Sequence, residues 1–146
     1  VAQGATRTEA DRYARVSRGR PGVALSFLQD PALFDDFIKN LRERDRLLGE
    51  PIYSRLRWTE GNAKKLKTDT LAEEFRLWRE ALRDRLLSAL RVPEFAVEDR
   101  KKNAALPQET PVLVAQLKKL AEAEIAARHH VDPRAAIEHF LLASDR

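Results

Sequence analysis

Between residues 70 and 91, Leu71, Phe75, Trp78, Leu82, Leu86 and Leu90 recur every three or four positions, while Arg76, Arg79, Glu80 and Arg83 take the opposite side. That period predicts an amphipathic helix, the expected centre of the core. A second run, Phe34, Phe37, Ile38, Leu41 and Leu48, interrupted by Asp45, predicts a helix that starts at Asp30-Pro31 and stops near Gly49 and Pro51. Asp35 and Asp36 complement the dipole of its first turns. The same start, a capping side chain followed by a proline whose missing amide hydrogen costs nothing there, recurs at Thr110-Pro111 and Asp132-Pro133.

"TEADRYARVSRG" predicts a short helix with Thr8 as N-cap, Glu9 and Asp11 in the first turn, and Gly19 just past the end. Ala10, Tyr13, Ala14 and Ser17 share its expected inner face. Residues 51–67 predict a further helix carrying Ile52, Leu56 and Ala63, interrupted at Gly61-Asn62. The stretch 92–109 has two prolines, a charge cluster and no sustained period, and reads as a long connection with one helical turn. Strand-like alternation and internal repeats are absent from the sequence. The expected fold class is all-α, a bundle of about five to six helices.

A chain of 146 residues, 43% hydrophobic and 34% charged with only five glycines, fits one helical globular domain rather than a disordered segment. Without cysteine it has neither a disulfide framework nor a thiolate metal site, which agrees with a cytoplasmic setting. No apolar run approaches the roughly 20 residues needed to span a bilayer, so no membrane partner is expected. Methionine is absent even at position 1, as expected of a piece of a longer protein.

The net charge of +4 is uneven: residues 39–67 hold nine Lys/Arg against four Asp/Glu. Arg42, Arg44, Arg46, Arg55, Arg57, Lys64, Lys65 and Lys67 could track a phosphate backbone, with Tyr53 and Trp58 to stack on bases. The interleaved Glu43, Asp45, Glu50 and Glu60 favour the plainer reading of a solvated face.

"SRGRPGV", residues 17–23, poses the sharpest local question, because glycines and arginines together can cradle phosphate. A P-loop requires G-x-x-x-x-G-K-[ST], and nothing after Gly22 supplies the lysine and hydroxyl. The plainer reading is a joint between helices, Gly19 supplying positive φ and Pro21 fixing φ for the next turn. His129, His130 and Asp132 contain ligand-type atoms, but adjacent helical histidines point about 100° apart and Asp132 is expected to cap a helix. No catalytic grouping stands out, and neither a cofactor nor a small-molecule substrate is expected. Glu124 and Arg128 form an i, i+4 pair near the side defined by Leu113, Leu117, Leu120 and Val131, read either as a surface pair or as an inter-subunit contact.

Three segments, "ADRYARVSRGRPGVALSFLQD", "EEFRLWREALRDRLLSAL" and "AEAEIAARHHVDPRAAIEHFLL", resemble in order and separation the C-terminal part of bacterial DNA polymerase III clamp-loader subunits, most of all the delta-prime type. The first is similar to the segment that closes the AAA+ lid, with Gly19, Pro21, Gly22, Ala24 and Leu25 at matching places. The second carries the family's aromatic and Arg-Asp pair as Trp78, Arg83 and Asp84. The third matches the family's last helix at Pro133, Ala136, Ile137, Glu138 and Leu141, with His130 and Asp132 where asparagines are usual. The resemblance covers residues 8–48, 70–91 and 111–143.

In the ATP-binding gamma/tau relatives an arginine in the first turn senses the γ-phosphate, and Gly22 stands at that position here. The resemblance therefore implies a degenerate nucleotide site. It further implies a division into the end of the lid (1–30) and a collar domain (31–146) that packs beside other clamp-loader subunits and meets DNA only through the assembled ring. The fragment would then be non-catalytic, with its interface expected around Leu77, Ala81 and Arg85 and on the Glu124/Arg128 helix. Alternatives are the equivalent gamma/tau domain and a free-standing basic nucleic-acid-binding module.

Overall fold

The first helix begins at a capping box two residues earlier than expected: Thr6 Oγ1 accepts from the Glu9 amide at 3.2 Å, and Glu9 Oε2 accepts from the Thr6 amide at 2.9 Å. Thr6, not Thr8, is therefore the N-cap, and the sequence signal was T-x-x-E at Thr6 to Glu9. The computed structural model describes residues 4–97, 107–129 and 131–144. Among these are seven α-helices and no strand: α1 (Arg7–Ser17), α2 (Pro21–Gln29), α3 (Pro31–Leu48), α4 (Ile52–Asn62), α5 (Leu71–Ala89), α6 (Thr110–Arg128) and α7 (Pro133–Ala143). The all-α expectation holds, with one or two helices more than expected. The run after Pro21 and the run after Pro51 each close on themselves as separate short helices.

Residues 18–20 form the joint between α1 and α2, as the glycine and proline pattern implies. Arg18 and Gly19 both take positive φ, 47° and 74°, which ends α1, and Pro21 opens α2. Asp30 and Asp132 cap α3 and α7 by accepting from the amides of Ala32 and Ala135 at 3.1 and 3.0 Å. Thr110 is different: it lies inside α6, behind a 3-10 turn at Pro107–Glu109, and gives no side-chain cap. The expected connection at 92–109 holds single 3-10 turns at Pro93–Phe95 and Pro107–Glu109, and residues 98–106 lie outside the described residues.

Around α5 the other helices close in, α3 and α6 as its main neighbours, with α7 against α6 and α4 against α7. Trp78, Phe75 and Leu82 are fully buried there, as their spacing predicts. Trp78 stands edge-on to Trp58 and to Phe140, each at a centroid distance of 5.7 Å, joining α4, α5 and α7. A second aromatic group, Tyr13, Phe27, Phe34 and Phe37, joins α1 and α2 to α3, with Tyr13 and Phe34 edge-to-face at 4.9 Å.

The buried arc of α5 is wider than one stripe. Glu74, Leu77, Glu80, Ala81 and Asp84 are buried too, so no residue from Glu74 to Ala89 is fully exposed, whereas Leu90, expected inside, is 53% exposed. A central helix has neighbours on nearly every side, and those neighbours bring countercharges for its carboxylates. On α1 the inner face includes Val16 beside Tyr13 and Ser17, while Ala14 is exposed. Among the described residues no helix is long and apolar enough to cross a membrane.

Candidate functional site

Each expected interface residue has a definite place. Leu77 and Ala81 are 5% and 1% exposed and belong to this chain's own core, which corrects the expectation that they line a docking seam. α5 has no free face there because α3 and α6 both pack on it. Arg85 binds inward as well: its Nε donates to Asp45 Oδ1 at 2.8 Å and its Nη2 to the Asp45 carbonyl at 2.5 Å, tying α5 to α3. Gly22, the expected degenerate sensor position, is exposed at the start of α2, with open space where a Cβ would stand. Its backbone therefore does not demand glycine.

Glu124 bridges two elements, accepting from Arg79 of α5 and from Arg128 Nη2 at 2.9 Å. Arg128 is 74% exposed, so only half of the expected pair is free to meet anything outside the chain. Leu113, Leu120 and Ala123 face the core, with Leu117 packed against it, whereas Val131 is exposed. The outward side of the same helix carries Val114, Lys118, Ala121, Ile125 and Arg128, all exposed and spaced as one helical stripe. Val114 and Ile125 are large apolar groups open to water on a helix whose other side is fully used. Sequence reasoning followed the Leu113 face and passed over this one. The signal was the unbroken "VLV" at 112–114, which makes both sides of the helix apolar.

The basic segment comes apart in three dimensions. Arg44 is buried, its Nε and Nη2 each donating to a Glu74 oxygen at 2.8 Å, and its guanidinium lies 4.5 Å from the Trp58 ring centroid. Arg55 is buried and donates to the Glu50 carbonyl at 2.8 Å. Trp58 packs against the core, which removes it as a stacking platform; Tyr53 remains exposed. Lys39, Arg42, Arg57, Lys64, Lys65 and Lys67 stay exposed on α3, α4 and the turn that follows. The Arg83-Asp84 pair has a local job: Arg83 donates to the Phe95 carbonyl at 3.3 Å and Asp84 accepts from the Val97 amide at 3.0 Å, which fixes the chain leaving α5.

Among the described residues no group of His, Asp and Glu could hold a metal ion, and His130 lies outside them. A concave feature lies where the α1–α2 joint meets α5, a cleft of about 430 Å³ lined by four arginines and two glutamates. Arg18 donates to Glu80 at its edge. Burial raises the Glu80 carboxyl above its ordinary range, against the pull of Arg18, Arg83, Arg76 and Arg79. Arg18 is lowered, first by burial and then by its arginine neighbours, with Glu80 acting the other way. Both directions have one cause: charge taken out of water faster than its partners compensate. Compared with known proteins, the chain matches no family model, no curated protein and no solved structure.

Proposed function

We propose that the chain is a non-catalytic helical docking domain that packs beside sister subunits, as the C-terminal collar domain of a bacterial clamp-loader subunit of the delta-prime type does. The observation that carries docking is the outward stripe of α6. An amphipathic helix with a covered core face has no use for Val114 and Ile125 on its wet side, and the flanking Lys118 and Arg128 give the mixed, arginine-bearing character of a subunit contact. The clamp-loader identity rests on the resemblance of the three segments. Gly22 supports delta-prime over gamma/tau, because glycine there is not imposed by the backbone and yet offers no charge to a phosphate. The boundary near residue 30 separates the end of the lid, α1 and α2, from the collar, and the ring, not this domain, meets DNA.

Co-expression with the other clamp-loader subunits tests the reading. The chain is expected to co-purify with them after nuclease treatment, and the double substitution Val114→Glu with Ile125→Glu is expected to abolish co-purification while leaving the thermal unfolding midpoint in place. Failure of the parent chain to co-purify overturns the reading. So does tight DNA binding by the isolated chain with a steep salt dependence, the behaviour of a basic nucleic-acid module. Burial of Arg44 and Arg55 removes two of the cations on which that alternative depends.

A further inference from the structure

The cleft between the α1–α2 joint and α5 holds more guanidinium groups than its own carboxylates can satisfy. Arg18, Arg20, Arg76 and Arg79 line it together with Glu73 and Glu80, a surplus of two positive charges. Glu80 is taken by Arg18, and Arg79 turns to Glu124 on α6. Arg20 donates its Nε to the Ser17 carbonyl at 3.2 Å and, among the described residues, has no carboxylate in ion-pair reach. Arg76 meets Glu73 only through Nη1, at 3.3 Å, while its Nε and Nη2 are buried without an acceptor and its guanidinium lies 4.8 Å from the Phe37 ring centroid. Those two donors are closed to solvent against Phe37, so an anion in the cleft meets the exposed Arg20 directly and Arg76 through its charge.

We infer that this cleft receives the carboxylate of an aspartate or glutamate presented by a partner polypeptide, an inference that rests on the docking reading above. The planar fork of a guanidinium matches a carboxylate bidentately; Arg20, exposed at the joint, offers that fork, and Arg76 on α5 adds its charge to the same cleft. Electrostatics chooses a side chain over nucleic acid. Glu73 stands half-exposed at the cleft, so a polyanion would lay its neighbouring phosphates against a like charge, whereas a single carboxylate passes beside it. Occupancy would lock the joint against α5, joining the lid end of the chain to the collar through the partner's own charge.

Arginine Nε–Hε resonances of the full chain report the site directly. Titration at physiological salt with a capped tetrapeptide carrying a single glutamate is expected to shift the Arg20 and Arg76 resonances saturably, and its glutamine counterpart to leave them unmoved. Arg20→Gln, at an exposed position, is expected to weaken the glutamate response at least fivefold with the unfolding midpoint unchanged. The inference is overturned if the single-glutamate peptide gives no saturable shift, if Arg20→Gln responds as the parent does, or if inorganic phosphate or a single-stranded oligothymidylate binds the same arginines more tightly. Co-purification through α6 is an independent readout: a chain that keeps its neighbours but ignores the peptide loses only the cleft assignment.

Discussion

Two arginine–glutamate clusters sit on the same central helix, six residues apart, and only one of them is closed. At Glu74, Arg44 reaches across from α3 with two 2.8 Å bonds, and the Trp58 ring covers its guanidinium. Glu43 accepts from the remaining Nη1, so one guanidinium is held by two carboxylates and the cluster is shut. At Glu80, Arg18 makes the direct contact while Arg76, Arg79 and Arg83 add their fields from nearby, and the group opens onto a cleft. Both glutamates are buried, so burial does not separate the two cases. Closure and the sign of the surplus do: an arginine shared by two carboxylates under a ring holds helices together, and an open cluster with more arginines than carboxylates has donors left over.

The largest expected effect comes from breaking the closed cluster. Glu74→Ala takes the carboxylate from Arg44 Nε and Nη2 and leaves the buried guanidinium with Glu43 alone, and equilibrium denaturation is expected to show a loss of up to about 3–5 kcal/mol. A loss below about 1 kcal/mol would mean that Glu43 or water takes over both donors, and the contrast between the clusters would vanish.

Glu80→Gln is expected to act in the opposite direction, leaving stability at pH 7 unchanged or raising it by up to about 1 kcal/mol. The sign follows from linkage. A carboxyl whose folded pKa is raised holds its proton more tightly in the native state, so its favourable contribution is complete below the unfolded value and is lost as pH rises through the folded one. The stability difference between Glu80→Gln and the parent should therefore grow in favour of the variant as pH climbs from the acid side toward neutrality. A difference that shrinks over that range would show that the surrounding arginines outweigh burial.

The smallest expected effect belongs to Arg46–Glu50, an i, i+4 pair at 3.1 Å on the exposed side of α3. Glu50→Gln should move stability by less than about 0.5 kcal/mol, within what exposed pairs contribute. It serves as the control that pairing without burial contributes little.

Helix existence was legible because burial on one side of a helix imposes a local period, and Phe34 to Leu48 and Leu71 to Leu82 carry it openly. The joint at residues 18–20 was legible for another local reason, since Gly19 and Pro21 constrain their own backbone angles. The outward stripe of α6 was half legible: the apolar run was in view, but which side would be covered depended on α5 and α7. The arginine cleft could not be read from order along the chain, because Arg18 and Arg20 stand more than fifty positions from Arg76 and Arg79.

Local physics, the 3.6-residue period and the proline and glycine constraints, was enough for the sequence alone to determine an all-α chain, the turn at residue 19 and the helix starts at Pro31 and Pro133. Tertiary structure alone decided that Leu77 and Ala81 are sealed inside, that Arg44 and Arg55 leave the basic surface, and that four arginines line one cleft with Glu80. The reason is that a charge's role depends on what lies within a few ångströms of it. On a central helix those neighbours come from distant stretches of chain, at angles no one-dimensional pattern records.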